Sequence, residues 1–195
     1  MRILKVFKNI WSQLYRFVLW AVLLSVFWVW IYSMVGDPPK ERKVVVYISA
    51  YDVNDRELSL RLEEEGLPEG IKMIQARGFD YVYFGNTLEG DVYIIKESLL
   101  QTNLEDETVR LAPISLPEGS RGYTWNGSCY GILVLDPETQ RGPAMRDILY
   151  ANYPEPEPEP YYLCFDVNTV HLESNPGAVD NAAWEVAMRL LALGD

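Results

Sequence analysis

The chain has 195 residues and a formal net charge of −11, from 17 basic and 28 acidic side chains. A surface this acidic repels phosphate backbones, so we expect no nucleic-acid partner. Two cysteines and one histidine are too few for a four-ligand structural zinc site, and we expect neither a metal nor a cofactor.

Residues 17–35 form an apolar run without a charged side chain. At about 1.5 Å of rise per residue this run would span about 28 Å as a helix, close to the ~30 Å hydrocarbon core of a bilayer. Four basic residues precede it, at Arg2, Lys5, Lys8 and Arg16. Because positively charged flanks stay in the cytoplasm, we predict a cytoplasmic tail at 1–16 and a transmembrane anchor at 17–35. Everything that follows would be extracytoplasmic.

Two other interpretations of this run are a cleaved signal peptide and a buried helix of a soluble core. A signal peptide usually has a shorter apolar core and a small-x-small cleavage site, whereas this run ends in the bulky sequence Trp-Ile-Tyr-Ser-Met-Val. A buried helix of a soluble protein rarely lacks polar residues on every face. The sequence therefore favours a retained, single-pass anchor in the cell membrane with a cytoplasmic N-terminus.

A charged linker at 36–42 precedes residues 43–195, which are enough for one domain with a buried core. The β-branched run at 43–50 predicts a central strand. Asn54 followed by Glu57 is a capping-box pattern, which predicts a helix that ends at Gly66.

Further strands are predicted at 71–76, 92–95 and 161–168, and 127–135 is typical of a hairpin or sheet strand. Residues 79–88 fit either a strand or a helix, and a helix is predicted at 144–150. The Pro-Glu repeat at 154–160 is predicted to be an extended loop. Asp180 or Asn181 would cap a final helix. Alternation of strands and helices predicts an α/β fold, a single three-layer domain with a mostly parallel sheet; the hairpin-like loops of the second half allow an antiparallel member.

Catalytic patterns are weak in this sequence. Ser128 follows Gly127 directly, so the segment is not a G-x-S-x-G nucleophile elbow. His171 therefore has no evident nucleophile, and a structural role is favoured for it. Cys129 and Cys164 could form a disulfide or remain buried thiols, and the sequence leaves both open. We predict a protein that is not an enzyme and has no catalytic residues.

Several segments together are similar to extracellular solute-binding proteins of bacterial ABC importers. Residues 90–100 (GDVYIIKESLL) resemble a strand–turn segment of that family, and 123–132 (YTWNGSCYGI) resemble the stretch that approaches its ligand cleft. Residues 161–165 and 180–193 are similar to a late strand and helix of the same lobe. These proteins usually have two lobes, and this chain is too short for a complete second lobe. The resemblance therefore implies a fold related to one lobe of a periplasmic-binding-protein fold.

The resemblance implies a membrane-anchored extracytoplasmic binding domain for a small polar solute, such as a sugar or a peptide, with a membrane permease or another envelope protein as partner. Since α/β sheets bind ligands at the carboxyl ends of their strands, the candidate ligand-binding residues are Tyr51, Asp52, Glu97, Ser98, Trp125 and Asn126. The carboxylates would accept hydrogen bonds and the indole would stack on the ligand. The aromatic residues around 123–130 and 161–162 could equally fill the core. The alternative is a protein-interaction or structural subunit of a cell-envelope complex, with no small-molecule ligand.

Overall fold

The apolar run lies within one long helix in the computed structural model of the chain. This helix, α1 (Arg2–Gly36), contains 35 residues and therefore begins well before the predicted span at 17–35. Its window Gln13–Tyr32 is long and apolar enough to cross a membrane and is not buried, and no second such helix occurs among the described residues. The structure describes residues 2–49, 53–64, 66–78, 90–106, 110–136, 138 and 159–193.

The chain divides into two compact units, Met1–Pro39 and Lys40–Asp195. The second unit begins with a 3-10 turn at Lys40–Arg42. Its helices and strands follow in the order β1 (Lys43–Ile48), α2 (Asp55–Glu64), β2 (Met73–Arg77), β3 (Val92–Lys96), α3 (Glu97–Asp106), β4 (Gly122–Trp125), β5 (Ser128–Leu135), β6 (Tyr161–Phe165) and α4 (Ala182–Ala192). The predicted elements at 79–88 and 144–150 lie outside the described residues, as does most of the loop at 154–160.

The six strands form one mixed sheet in the order β2-β1-β3-β6-β5-β4. β1 is parallel to both β2 and β3, whereas the β3–β6, β6–β5 and β5–β4 pairings are antiparallel. The α/β class is therefore confirmed, but the expectation of a mostly parallel sheet was wrong for the second half. Only two residues separate β4 from β5, and a connection this short can join only antiparallel strands.

Helices cover both faces of this sheet. Alternate residues of β1 point to opposite faces, and Val44, Val46 and Ile48 pack with α2 and α4 in one apolar cluster. Val45 and Tyr47 belong to a second cluster on the other face, which includes Leu100 of α3. The described residues thus form three layers, with the sheet between α2 and α4 on one side and α3 on the other.

Two predicted helix caps are present. Asn54 Oδ1 accepts a hydrogen bond from the Glu57 backbone N–H at 3.2 Å, and Gly66 follows α2 with a φ of 92°. For α4, Asp180 Oδ1 accepts from the Ala182 N–H at 3.0 Å, while Asn181 makes no side-chain cap bond. Asn181 therefore occupies the N-cap position, and the side-chain hydrogen bond that caps the helix comes from the preceding Asp180.

Candidate functional site

A tight turn between β4 and β5 forms one wall of the candidate site. Asn126 and Gly127 have φ values of 48° and 84°, and Trp125 pairs with Ser128 on either side of them. Two consecutive residues with positive φ make a hairpin turn that Asn-Gly favours, because both residues tolerate this backbone conformation. The Asn126-Gly127 pair is a strong sequence signal for such a hairpin.

A cleft of about 700 Å³ lies beside this turn. Its walls come from the loop at 113–115, the hairpin at 127–129, the loop at 172–174 and the first turn of α4. The lining residues are Pro113, Ile114, Ser115, Gly127, Ser128, Cys129, Leu172, Glu173, Ser174, Asn181 and Trp184. A volume of this size lies within the roughly 300–1,000 Å³ that is usual for small-molecule sites.

The cleft combines one indole ring with several small polar groups. Trp184 stacks on Phe165, with ring centroids 5.5 Å apart and an interplanar angle of 22°, so the core holds the indole in place. Asn181 Oδ1 accepts a hydrogen bond from the Glu173 backbone N–H at 3.2 Å, which orients the amide. Hydroxyl, amide and carboxylate groups around one aromatic ring can hold a polar ligand by hydrogen bonds and by stacking on its apolar face.

The predicted site residues divide between three places. Trp125 and Asn126 lie in the hairpin turn directly before the lining residues Gly127 and Ser128, but they do not line the cleft themselves. Tyr51 and Asp52 lie outside the described residues. No sequence signal indicated Trp184, Glu173 or Ser174, because the cleft is assembled from segments distant in sequence.

Glu97 and Ser98 form the first turn of α3, at the carboxyl end of β3 and away from the cleft lining. Ser98 Oγ donates a hydrogen bond to Glu159 Oε2 at 2.7 Å. Burial, together with the negative charge of Glu97, raises the pKa of Tyr162 to about 12, and the Tyr162 side chain also hydrogen-bonds to Glu97. Glu97 therefore acts as a hydrogen-bond acceptor here, but for a side chain of the domain itself.

A buried polar network surrounds the single histidine, whose side chain is fully buried. His171 Nδ1 lies 2.8 Å from Asp180 Oδ1, and Nε2 lies 2.7 Å from the carbonyl oxygen of Lys40. Burial lowers the pKa of His171, but the hydrogen bonds to Lys40 and Asp180 and the nearby negative charges outweigh it, so the pKa is raised. Neither partner is a nucleophile, and the geometry gives His171 the structural role that its sequence context favours.

The same network joins the amino ends of β1 and β3 to the loop after β6. Asp91 accepts hydrogen bonds from the Val45 backbone N–H at 2.8 Å and from the Thr169 hydroxyl. Asp166 accepts from the Tyr93 hydroxyl at 2.9 Å. Burial raises the pKa of Asp91, although these two hydrogen bonds oppose the change. Because its polar groups are partnered, this network stabilises the fold rather than presenting groups to a ligand.

Both cysteines are free thiols in the structure, Cys129 half-buried and Cys164 fully buried. Burial raises the pKa of Cys164, so its thiol stays protonated. Among the described residues, no group of three or more His, Cys, Asp or Glu side chains could hold a metal ion.

The chain matches no protein-family model, and no curated protein matches it in sequence. The proposed function therefore rests on the geometry of the cleft.

Proposed function

We propose that this chain is a membrane-anchored extracytoplasmic binding domain that takes a small polar solute in the cleft between the β4–β5 hairpin and α4. The observation that carries the proposal is the composition of this cleft of about 700 Å³. The ring of Trp184, held against Phe165, lines the same space as the Ser115, Ser128 and Ser174 side chains.

Charge restricts the class of ligand. Glu173 is the charged side chain that lines the cleft, and the chain after the anchor carries 13 basic and 28 acidic residues, a net charge of −15. An anionic ligand would be repelled. The ligand is therefore a neutral or cationic polar molecule with an apolar face for stacking, such as a sugar or a short peptide.

The anchor supports the proposed location. The window Gln13–Tyr32 of α1 is apolar enough to span a bilayer. The residues before the apolar run carry four basic and no acidic side chains, whereas 36–43 carry three basic and two acidic ones. The bias of basic residues towards cytoplasmic flanks supports an N-terminus inside and a cleft outside the cell. A membrane permease or another envelope protein would then be the partner that receives the ligand.

The finer fold assignment, a relative of one lobe of a solute-binding protein, belongs to the same proposal. It is supported by the β1–α2–β2 unit, in which both strands are parallel, and by the position of β3 beside β1. The segment 90–100, which resembles that family in sequence, contains β3 and the start of α3.

The proposal is tested by measuring Tm of the full chain in detergent, with and without each compound of a panel of sugars, amino acids, short peptides and polyamines. A ligand that binds only the folded state stabilises it by about 2.7 kcal/mol at a concentration of 100 times its Kd, and raises Tm accordingly. For a ligand that raises Tm, Ser128→Ala should weaken binding by about 2- to 12-fold, the value of one hydrogen bond.

The matched control is Thr124→Ala, which removes an exposed hydroxyl of the same hairpin that does not line the cleft. It should leave affinity unchanged. A panel without any shift in Tm at millimolar ligand would contradict the proposal and favour the alternative, an interaction subunit of an envelope complex.

A further inference from the structure

The charge in the cleft beside α4 has one sign. Glu173 is the charged residue among the described lining residues, and the others are neutral. Its side chain is exposed, and among the described residues no side chain forms an ion pair or a hydrogen bond with its carboxylate. The Glu173 backbone N–H donates to Asn181 Oδ1 at 3.2 Å. The main chain therefore holds this residue at the wall of the cleft, while the carboxylate remains available to a ligand.

The Trp184 ring lies close to Glu173 because both are connected to Asn181. Asn181 is the N-cap of α4, and Trp184 follows it by three residues, so their side chains lie on the same side of the helix. The hydrogen bond from Glu173 to Asn181 joins the loop at 172–174 to this first turn. One face of the indole stacks on Phe165, so the ring offers its other face and its edges to the cleft.

The amino end of α4 offers little to an anionic group. The first N–H groups of a helix usually attract anions, because they have no acceptor within the helix. Here the Ala182 N–H donates to Asp180 Oδ1 at 3.0 Å, and the Ala183 N–H donates to the His171 carbonyl oxygen at 2.9 Å. Acceptors of the domain itself therefore take the place of an anionic ligand, and one of them is a carboxylate.

We propose that the ligand of the cleft carries a protonated amine, which binds between the Glu173 carboxylate and the Trp184 ring. This inference rests on the proposed function and narrows its ligand to organic ammonium ions, such as a diamine or the amino terminus of a short peptide. An ammonium group donates three hydrogen bonds, and the carboxylate and serine hydroxyls of the lining accept them. The face of an indole attracts the same positive charge.

The charge of the whole domain acts in the same direction. The chain after the anchor carries 13 basic and 28 acidic residues, so its field attracts a cation towards the cleft. A neutral compound of the same shape gains nothing from this field. Because salt screens charges that are exposed to solvent, added salt should weaken the binding of an amine and leave the binding of a neutral compound unchanged.

The test compares two pairs of compounds on the full chain in a non-ionic detergent, near neutral pH. Putrescine is paired with the diol of the same chain length, and glycyl-tyrosinamide is paired with its N-acetyl derivative. Each pair differs in its positive charge, and isothermal titration calorimetry measures the Kd of each compound at low and at high salt. We expect the cationic member to bind about 3- to 30-fold more tightly, the combined value of an exposed ion pair and a cation–π contact.

Glu173→Gln removes the charge and keeps the backbone N–H that donates to Asn181. It should weaken the binding of putrescine by about 2- to 5-fold and leave the binding of the diol unchanged. The matched control is Glu185→Gln, which removes an exposed carboxylate from the first turn of α4 that does not line the cleft. This control should leave the Kd of putrescine unchanged. Since Glu173 is exposed, its variant should unfold at the Tm of wild type without ligand.

Equal affinity of the two members of each pair would overturn the inference. An unchanged Kd of putrescine in Glu173→Gln would overturn it as well. In either case a sugar or another neutral compound that raises Tm would show that the cleft binds a solute of a different class, and the proposed function would still hold. If no compound raises Tm or gives a measurable Kd, the proposed function fails and this inference fails with it.

Discussion

Replacing His171 by phenylalanine tests how much the hydrogen bonds of the buried network stabilise the fold. The substitution keeps an aromatic ring of similar size but removes both N–H donors. Asp180 Oδ1 also accepts from the Ala182 N–H, and the Lys40 carbonyl can only accept, so the protonated ring, which donates from both nitrogens, satisfies both partners. A hydrogen bond to a charged group contributes about 1.5–3 kcal/mol and one to a neutral group about 0.5–1.5 kcal/mol. His171→Phe should therefore lower the free energy of unfolding by about 2–4.5 kcal/mol.

The loss in free energy of unfolding caused by His171→Phe should decrease as pH rises. The pKa of His171 is raised above its ordinary value of 6.5 in the folded state. Its stabilising contribution is then complete below about pH 6.5 and declines as pH rises through the folded pKa. The difference between wild type and His171→Phe should be largest in mildly acidic solution and should shrink towards alkaline pH.

Urea denaturation of residues 37–195 across this pH range measures the difference, because this fragment contains the whole second unit and the Lys40 carbonyl. The exposed residue Glu118 provides a control, and Glu118→Gln should leave the free energy of unfolding unchanged. A His171→Phe variant as stable as wild type at pH 6, or a difference in stability that grows as pH rises, would contradict this role of His171.

Three further predictions concern packing and thiol chemistry in the sheet. Leu163→Ala truncates a fully buried side chain of β6 and should cost about 2–5 kcal/mol in urea denaturation; a loss below 1 kcal/mol would contradict this packing. Gly131→Ala would place a Cβ 3.0 Å from the Cys164 Sγ and should cost about 1–3 kcal/mol. Gly78→Ala, whose Cβ meets its nearest atom at 3.8 Å, should stay within about 0.5 kcal/mol. N-ethylmaleimide followed by mass spectrometry should modify Cys129 in the folded protein and Cys164 only after unfolding, and equal labelling of both would contradict the burial of Cys164.

Local features of the fold could be predicted because their determinants lie close together in sequence. The cap of α2 needs only Asn54 and Glu57, three residues apart. β1 is indicated by its own β-branched run at 43–48. In both cases the interacting groups belong to one segment, so a pattern of a few residues contains all the information.

Features that depend on distant pairings could not be predicted in this way. The Lys40 carbonyl lies 131 residues from His171 in sequence, and no local pattern joins the two. β6 lies between β3 and β5 in the sheet. This order depends on which strand edges pair, and the sequence of a single strand does not contain that information. The cleft likewise needs four segments between 113 and 184 to meet, so its residues were not among those predicted.

Binding of a small polar solute in the cleft beside α4 can be observed directly. Its most direct test is to record amide chemical shifts of isotope-labelled residues 37–195 while a ligand that raises Tm is added. We expect the shift changes to be concentrated at 113–115, 127–129, 172–174 and the first turn of α4. Shifts centred instead on Glu97 and Tyr162, or no shifts at saturating ligand, would contradict it.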